Sequence, residues 1–173
     1  MTVARVTLIV AVVALVLAAA ALGVSWANSG SSPSGPGIVI AHASLDSGGG
    51  RVPHVGHCEN VTGLVLHLGV SGPGTVLVEA NVQATLYHSS DEYAAAAFFV
   101  SNASATCPGS PVLTYIDDGI ATGTYIQDVS VVGSFSVTAA ATDSFYLTGY
   151  DYSTGTDYTL CGFVNMVAVF IPS

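Results

Sequence analysis

A long run of alternating residues between Tyr125 and Tyr152 constrains the fold of this chain more than any other feature. In its first half the odd-numbered positions are mostly apolar and the even-numbered positions mostly polar. Successive side chains of a β-strand point to opposite faces, so this pattern predicts a long strand with one buried face and one face in water. We therefore expect Phe135 to be buried together with Val137, and Ser136 to be exposed together with its neighbour at position 134, Ser134.

The pattern is interrupted by Ala-Thr-Asp-Ser and then resumes with aromatic residues. Phe145 and Leu147 indicate a returning strand, which predicts a hairpin with the first. A second hairpin is predicted from the alternating segments Gly63–Val70 and Thr75–His88, which are joined by the turn sequence Ser-Gly-Pro-Gly.

Further strands are predicted along the rest of the chain. The segment YAAAAFFV at Tyr93–Val100 is short for a helix and ends in bulky apolar residues, so we interpret it as a buried strand. The remaining predicted strands are Ile38–Leu45, Val112–Ile116 and the terminal segment Cys161–Ser173. About eight strands, with no amphipathic helix among them, predict an all-β protein, an antiparallel β-sandwich.

The first 27 residues form a separate, hydrophobic leader. A long apolar run at Val6–Val24 follows the positive charge of Arg5 and precedes Ser25-Trp26-Ala27, which is typical of a signal peptide cleaved after Ala27. The run is also long enough to cross about 30 Å of hydrocarbon, so an uncleaved helical membrane anchor through residues 6–24 is the alternative. Both interpretations place the remainder outside the cell: a flexible Gly/Ser/Pro spacer at 28–37 and a β-sandwich domain at 38–173.

The charge balance excludes several classes of partner. The chain has 11 acidic residues and only two arginines, with no lysine, which gives a formal net charge of −9. Binding to nucleic acid needs cationic side chains against the phosphates, so we predict no nucleic-acid partner. The same balance argues against docking on anionic lipid.

The C-terminal third resembles the end of a jelly-roll head of the tumour necrosis factor and complement globular-head type. The resemblance lies in GSFSVTAAATDSFYLTGY at Gly133–Tyr150 and in VNMVAVFIPS at Val164–Ser173. It implies a Greek-key jelly-roll sandwich that is often a trimer and acts by binding. A collagen-like stalk is absent from the sequence, and no calcium or receptor-contact residue of that family has an identifiable counterpart.

The terminal segment Val164–Ile171 is apolar on both faces. Such a strand is either covered on both sides within the sandwich or covered by a neighbouring copy of the chain. Together with the resemblance, this pattern favours a homo-oligomer, with a trimer preferred over a monomer. Cyclic symmetry would then place Met166, Ala168 or Phe170 near the axis.

Three cysteines in an exported chain predict one disulfide and one free thiol. Cys58 and Cys107 both lie in predicted loops, whereas Cys161 adjoins a buried strand, so we prefer the pair Cys58–Cys107 and a buried Cys161. Both pairings that include Cys161 remain open. A catalytic thiol is not favoured, because few cations are available to lower a thiol pKa.

Four tyrosines near one predicted turn form a candidate ligand site: Tyr146, Tyr150, Tyr152 and Tyr158. Tyrosines in such a place either stack on sugars or cover a half-buried sheet edge. Asn60 and Asn102 begin Asn-X-Ser/Thr motifs and are candidate glycosylation sites.

Metal sites are weakly indicated, and we predict no metal and no cofactor. His54 and His57, next to Cys58, have donor spacing but lack a second Cys/His pair. Acidic turns at Asp117-Asp118 and at Asp151 to Asp157 contain oxygen ligands that calcium uses, but acidic residues are ordinary in turns.

These observations favour an exported cell-surface or secreted structural or interaction domain without catalysis. The alternatives are a module that binds carbohydrate or another small ligand through the tyrosines, and an extracellular filament subunit. An enzyme is the class least favoured, since the strand serines lack a nucleophile elbow and no pair of carboxylates is recognisable.

Overall fold

Nine antiparallel strands form the part of the chain that the computed structural model describes, which is residues 38–45, 50–53, 58–89, 92–109 and 111–173. These residues all belong to one compact unit. The strands are β1 (Val39–Leu45), β2 (Glu59–Asn60), β3 (Leu66–Val70), β4 (Gly74–His88), β5 (Ala94–Ser101), β6 (Val112–Ile116), β7 (Gly123–Val137), β8 (Ala141–Asp151) and β9 (Tyr158–Pro172).

The leader at 1–27, the spacer at 28–37 and the histidines His54 and His57 lie outside the described residues. The expectations about them therefore stay predictions. Within the described ranges, no helix is long and apolar enough to span a membrane.

The strands form two sheets that face each other. One sheet has the order β1-β9-β4-β7, and the other has the order β2-β8-β5-β6 with β3 also paired to β8. The pairs β1/β9, β3/β8, β4/β7 and β5/β6 are nested in the sequence, one inside the next. Nested pairs are those of a long antiparallel ribbon wound over two sheets, which is a jelly roll. The predicted jelly-roll sandwich is therefore confirmed, with nine strands instead of about eight.

Both predicted hairpins are wrong. β3 pairs with β8, while β4 pairs with β7 and β9, so the turn at 71–73 carries the chain from one sheet to the other. β7 and β8 likewise lie in different sheets. The alternation was a correct guide to strands and faces but not to partners, because two strands in facing sheets also turn alternate side chains into one core.

The core lies between the sheets and is supplied by the alternate residues that the sequence indicates. β4 contributes six successive inward positions, each at most 2% exposed, and β3 contributes three. These inward residues are Leu66, Leu68, Val70, Val76, Val78, Ala80, Val82, Ala84 and Leu86. YAAAAFFV is a buried strand, as expected, since Ala94, Ala96 and Phe98 enter the core.

The terminal strand β9 differs from the expectation in one respect. Its residues Met166, Ala168 and Phe170 are fully buried in the core of the sandwich. They therefore do not line a symmetry axis, and that prediction is wrong. β9 lies between β1 and β4, so its pairing edges are both occupied, and its outward residues are the opposite set from Phe163 to Ile171.

The register predicted for β7 is confirmed, although its burial is less complete than expected. Ser134 and Ser136 are exposed, whereas Phe135 and Val137 are half-buried and pack against the core. The Phe135 ring lies 5.1 Å from that of Phe145, measured between centroids. β7 is at the edge of its sheet, which leaves part of these two side chains uncovered, although Val129 and Val131 of the same strand are buried.

We predict that Phe135→Ala lowers the free energy of unfolding by about 2 kcal/mol, which is less than the 3–5 kcal/mol typical of a fully buried aromatic residue. Ser136→Ala, on the exposed face of the same strand, should change it by no more than about 0.5 kcal/mol. Urea unfolding of both variants is the measurement, and equal small effects would mean that the strand faces are reversed.

Candidate functional site

An apolar surface covers the outer side of the sheet β1-β9-β4-β7. We call it the apolar sheet face. It consists of Ile40, Leu77, Val132, Phe163, Val167, Val169 and Ile171. Three of these are strongly exposed: Ile40 at 51%, Phe163 at 58% and Val132 at 68%. Apolar outward residues thus occur on all four strands, with polar outward residues such as His42, Glu79 and Asn165 between them.

Cross-strand register brings the members of this face into contact. Val169 of β9 is paired with Ile40 on one side and with Leu77 on the other. Val167 is likewise paired with Glu79, a carboxylate that accepts hydrogen bonds from Asn81 Nδ2 and Ser130 Oγ, both at 3.2 Å. The Glu79 carboxylate therefore has two hydrogen-bond donors within its own sheet.

Phe163 projects from an irregularity in the β4/β9 pairing. The register shifts between Val82 and Ala84 on β4, opposite Val164 and Cys161 on β9. Two residues of β9, Gly162 and Phe163, thus oppose a single residue of β4, which is a β-bulge. Such bulges change the direction in which side chains point. Here the Phe163 ring points outward, on the same side of β9 as Val167.

A second surface lies on the outer side of the opposite sheet, where tyrosines cover two alanines of β5. Ala95 and Ala97 are fully buried although they lie on the outward face, since Ala94 and Ala96 enter the core. Ala95 is paired with Tyr115 of β6, and its carbonyl accepts from the backbone of Tyr152. Ala97 is paired with Tyr150 of β8. The small alanine side chains form a floor over which the neighbouring rings lie.

Four tyrosines make up this surface, which we call the tyrosine patch: Tyr93, Tyr115, Tyr150 and Tyr152. Ring centroids are 6.0 Å apart for Tyr93 and Tyr115, and 5.8 Å apart for Tyr150 and Tyr152. Tyr115 is 51% exposed, and Leu113 beside it is 55% exposed. The patch is therefore open to solvent at its β6 side.

The loop between β8 and β9 fixes the backbone beneath the patch. Tyr93 N donates to Thr154 Oγ1 and Thr154 N donates to Tyr93 O, both at 2.9 Å. Ala95 N donates to Ser153 Oγ at 2.9 Å. Hydrogen bonds from the loop between β8 and β9 therefore fix the backbone at Tyr93 and Ala95.

Two buried acids organise the same loop. Asp151 accepts hydrogen bonds from the backbone of Ser153 at 2.8 Å and of Thr159 at 2.6 Å. Asp157 pairs with His88 at 2.8 Å and also accepts from Ser89 N at 2.6 Å. Buried carboxylates that accept several donors hold a loop firmly.

His88 joins three segments at this end of the sandwich. Its Nδ1 faces Asp157 Oδ2, and its Nε2 lies 3.1 Å from the carbonyl of Ile120. The imidazole thus lies between two oxygen atoms, one of the Asp157 carboxylate and one of the Ile120 carbonyl. β4, the segment before β7 and the loop before β9 are thereby tied together.

The tyrosine patch carries negative potential. Asp117 Oδ1 lies 3.4 Å from the Tyr115 hydroxyl, which donates to it, and Asp118 follows in the chain. Partial desolvation and these two carboxylates raise the pKa of Tyr115. Desolvation and the neighbouring tyrosines raise the pKa of Tyr152 in the same way. These two phenols therefore stay neutral, and the Tyr115 hydroxyl lies beside the Asp117 carboxylate.

The four tyrosines singled out from the sequence are only partly brought together. Tyr150 and Tyr152 share the patch, and Tyr146 lies on the same strand four residues earlier. Tyr158 belongs to the opposite sheet, where its ring stacks on Tyr87 at 4.5 Å and under Arg51 at 4.6 Å. The prediction of one cluster is therefore wrong for Tyr158.

Sequence reasoning missed Tyr93 and Tyr115, which lie far from the other tyrosines in the chain. Their position follows from the pairing of β5 with β6, which the alternating pattern does not reveal. The signal that could have found them is the run of alanines after Tyr93. Small residues at alternate outward positions of a strand leave room for large rings on both sides.

The preferred cysteine pairing is confirmed. Cys58 and Cys107 form a disulfide with their Cα atoms 5.8 Å apart, and it closes a separation of 49 residues. By the chain-entropy relation a loop of that length contributes about 4 kcal/mol. The bridge holds the segment 102–109 against the outer face of β8, where Thr148 Oγ1 donates to Thr106 O at 2.7 Å.

Cys161 is a buried free thiol, and burial raises its pKa to about 12. We predict that iodoacetamide leaves the native protein unlabelled near neutral pH, because the thiolate is the reactive form. In denaturant, one thiol should react without reductant and three after reduction, as counted by mass spectrometry. Labelling of the native protein, or three reactive thiols without reductant, would contradict this assignment.

The two glycosylation motifs lie in different environments. Asn102 is exposed at the end of β5. The Asn60 side chain closes a turn, since its Nδ2 donates to Leu64 O and its Oδ1 accepts from the backbone of Thr62 and Gly63. A glycan on Asn60 would compete with these bonds, so Asn102 is the better placed of the two.

Among the described residues, no three His, Cys, Asp or Glu side chains converge as metal ligands would. The carboxylates of Asp151 and Asp157, considered above for calcium, already accept from backbone N–H groups and from His88.

Comparisons with known proteins show no family for this chain. No family model matches the sequence, and no curated protein matches it. A structure of Eiger TNF from S. frugiperda is similar over 75% of this chain and 91% of its own, at 17% identity and a TM-score of 0.35. The C-terminal CBM6 of LamC from Zobellia galactanivorans is similar over 75% of this chain and 98% of its own, at 12% identity and a TM-score of 0.26. Both TM-scores are too low for either likeness to bear on function.

Proposed function

We propose that this chain is an exported, non-catalytic interaction domain that assembles with copies of itself through the apolar sheet face. The observation that carries the proposal is the exposure of Ile40, Val132 and Phe163 on the outer side of one sheet. Large apolar side chains exposed on the same face of a sheet are candidates for a contact site. Val169, paired with Ile40 and Leu77, is itself only 5% exposed and supports these two neighbours from below.

A second copy is the occupant that we propose, and charge restricts where the two copies can meet. The chain carries a net charge of −9, so two copies repel each other except where their acids are absent or satisfied. The outward apolar residues of β9 supply such a region. The Glu79 carboxylate beside them already accepts hydrogen bonds within its own sheet. A chain with no lysine can associate with itself there through apolar contacts alone.

A trimer is the assembly we propose. The resemblance of Gly133–Tyr150 and Val164–Ser173 to jelly-roll heads that are often trimeric supports that number. Export is supported by the Cys58–Cys107 disulfide, which forms in oxidising compartments. Catalysis is not part of the proposal. The buried carboxylate of Asp151 accepts hydrogen bonds from the backbone, and the Cys161 thiol is neutral because its pKa is raised to about 12.

Phe163→Asp should weaken self-association at least about a hundredfold, because it removes an aromatic contact and brings a charge into the interface. Tyr115→Asp is the matched control: Tyr115 is 51% exposed on the other sheet, against 58% for Phe163. Sedimentation equilibrium of the mature domain should give a trimer for the wild type and for Tyr115→Asp, and a monomer for Phe163→Asp. A wild type that is monomeric at micromolar concentration would refute self-association.

A further inference from the structure

We propose that the tyrosine patch is a docking site for a cationic protein surface, with arginine side chains lying on the rings of Tyr115 and its neighbours. This inference goes beyond self-association, because the patch lies on the opposite sheet from the apolar sheet face. The two proposals therefore fail separately: a monomeric protein that binds a cationic partner would refute only the first.

The geometry supplies an aromatic platform rather than isolated rings. Tyr115 and Tyr152 flank Ala95 on its two sides, and Tyr150 lies beside Ala97 in the next row. Because both alanines are fully buried, the rings lie over them and present broad surfaces. Guanidinium groups stack on such faces, which carry the negative side of the ring quadrupole.

Charge selects a cation over other ligands. Asp117 and Asp118 border the patch at Tyr115 and are exposed. Among the described residues, Arg51 is the one lysine or arginine side chain, and it is stacked on Tyr158 in the other sheet. Acidic ligands would meet repulsion here, and a neutral sugar would leave the two carboxylates without an opposite charge.

The platform is pre-organised for binding. Tyr93 is tied to Thr154 by two backbone-directed hydrogen bonds, and the carbonyl of Tyr115 accepts from Gln127 Nε2 at 3.2 Å. Tyrosine adds contact area at low entropy cost, since it has two side-chain torsions. Exposed Leu113 next to Tyr115 extends the surface with an apolar contact for the aliphatic stem of a bound arginine.

The test uses a synthetic peptide of alternating glycine and arginine as the probe, and the same peptide with citrulline in place of arginine as its neutral control. Calorimetry with residues 28–173, the chain without its leader, should show binding of the arginine peptide. This binding should weaken as salt is added. The citrulline peptide should bind at least about tenfold more weakly. Tyr115→Ala should lower affinity about tenfold, and Tyr115→Phe, which keeps the ring, less than threefold.

A matched pair of variants distinguishes binding at the tyrosine patch from a general attraction of the cationic peptide to an acidic protein. Asp117→Asn and Asp128→Asn each remove one negative charge from an exposed carboxylate, the first beside the patch and the second on the other sheet. The first should weaken binding several-fold and the second less than twofold. Equal losses in both variants, no binding of the arginine peptide, or equal binding of the citrulline peptide would overturn the proposal. So would binding of a neutral glucan oligosaccharide that Tyr115→Ala abolishes, since that outcome assigns the patch to carbohydrate.

Discussion

Ala168→Asp should abolish the folded sandwich. Ala168 is fully buried on the inward side of β9, where it is paired with Ala41 of β1 and with Val78 of β4. A carboxylate there has no partner and must be desolvated, which costs several kcal/mol even after partial relaxation. That cost is comparable to the whole stability of many domains of this size. Circular dichroism should lose its β-sheet signal or show a strongly lowered unfolding midpoint.

Phe163→Asp is the control for this prediction. It adds the same charge to the same strand, five residues earlier and on the outward side, where Phe163 is 58% exposed. We expect it to keep the β-rich spectrum and to lose only self-association. A folded, dissociated Ala168→Asp would show instead that Ala168 faces an interface, and the assignment of the two faces of β9 would be wrong.

Asp157→Ala should lower the free energy of unfolding by about 2–4 kcal/mol, because it leaves two hydrogen-bonding groups of the protein without their acceptor. The substitution leaves the His88 ring without its carboxylate and the backbone N–H of Ser89 without its acceptor. His88 is buried and Ser89 is half-buried at the junction of β4 with the loops before β7 and β9, so water cannot replace the bond at His88 without opening that end.

Asp128→Ala provides the comparison in urea unfolding. Asp128 is an exposed carboxylate on β7, and its removal should change the stability by no more than about 0.5 kcal/mol. Similar effects of the two substitutions would mean that the His88–Asp157 pair does not hold the loops together.

Strands and their faces could be predicted from the sequence because alternation is local. β3, β4 and β7 alternate clearly, and Val76 to Leu86 fill the core as their positions indicate. Pairing could not be predicted in the same way. In a jelly roll, neighbours in the chain often lie in facing sheets, and both sheets turn their alternate residues into one core. The turn at 71–73 thus looks the same whether it closes a hairpin or crosses between sheets.

The candidate surfaces depend on this pairing, which explains what the sequence missed. Tyr93 and Tyr115 join Tyr150 and Tyr152 only because β5 lies between β6 and β8. Tyr158 departs from them because β9 belongs to the other sheet. For β9, the sequence showed that both faces are apolar but not which of them is inward. The inward side is set by pairing with β1 and β4.

The disulfide was predictable to a greater extent. Cys161 adjoins a long apolar segment, so burial was its expected state, and Cys58 and Cys107 remained as the pair in loops. The structure adds the reason for their proximity: β2 and the segment after β5 both lie against β8. Local burial cues therefore identified the pair without knowledge of the sheet order.

Hydroxyl-radical footprinting tests the central claim of self-association through the apolar sheet face most directly. Phe163 and Tyr115 are similarly exposed aromatic residues on opposite sheets, at 58% and 51%, and both react readily when accessible. On raising the protein concentration from dilute to micromolar, we expect oxidation of Phe163 to fall several-fold and oxidation of Tyr115 to stay unchanged. Unchanged oxidation of Phe163, or protection of Tyr115 instead, would contradict the claim.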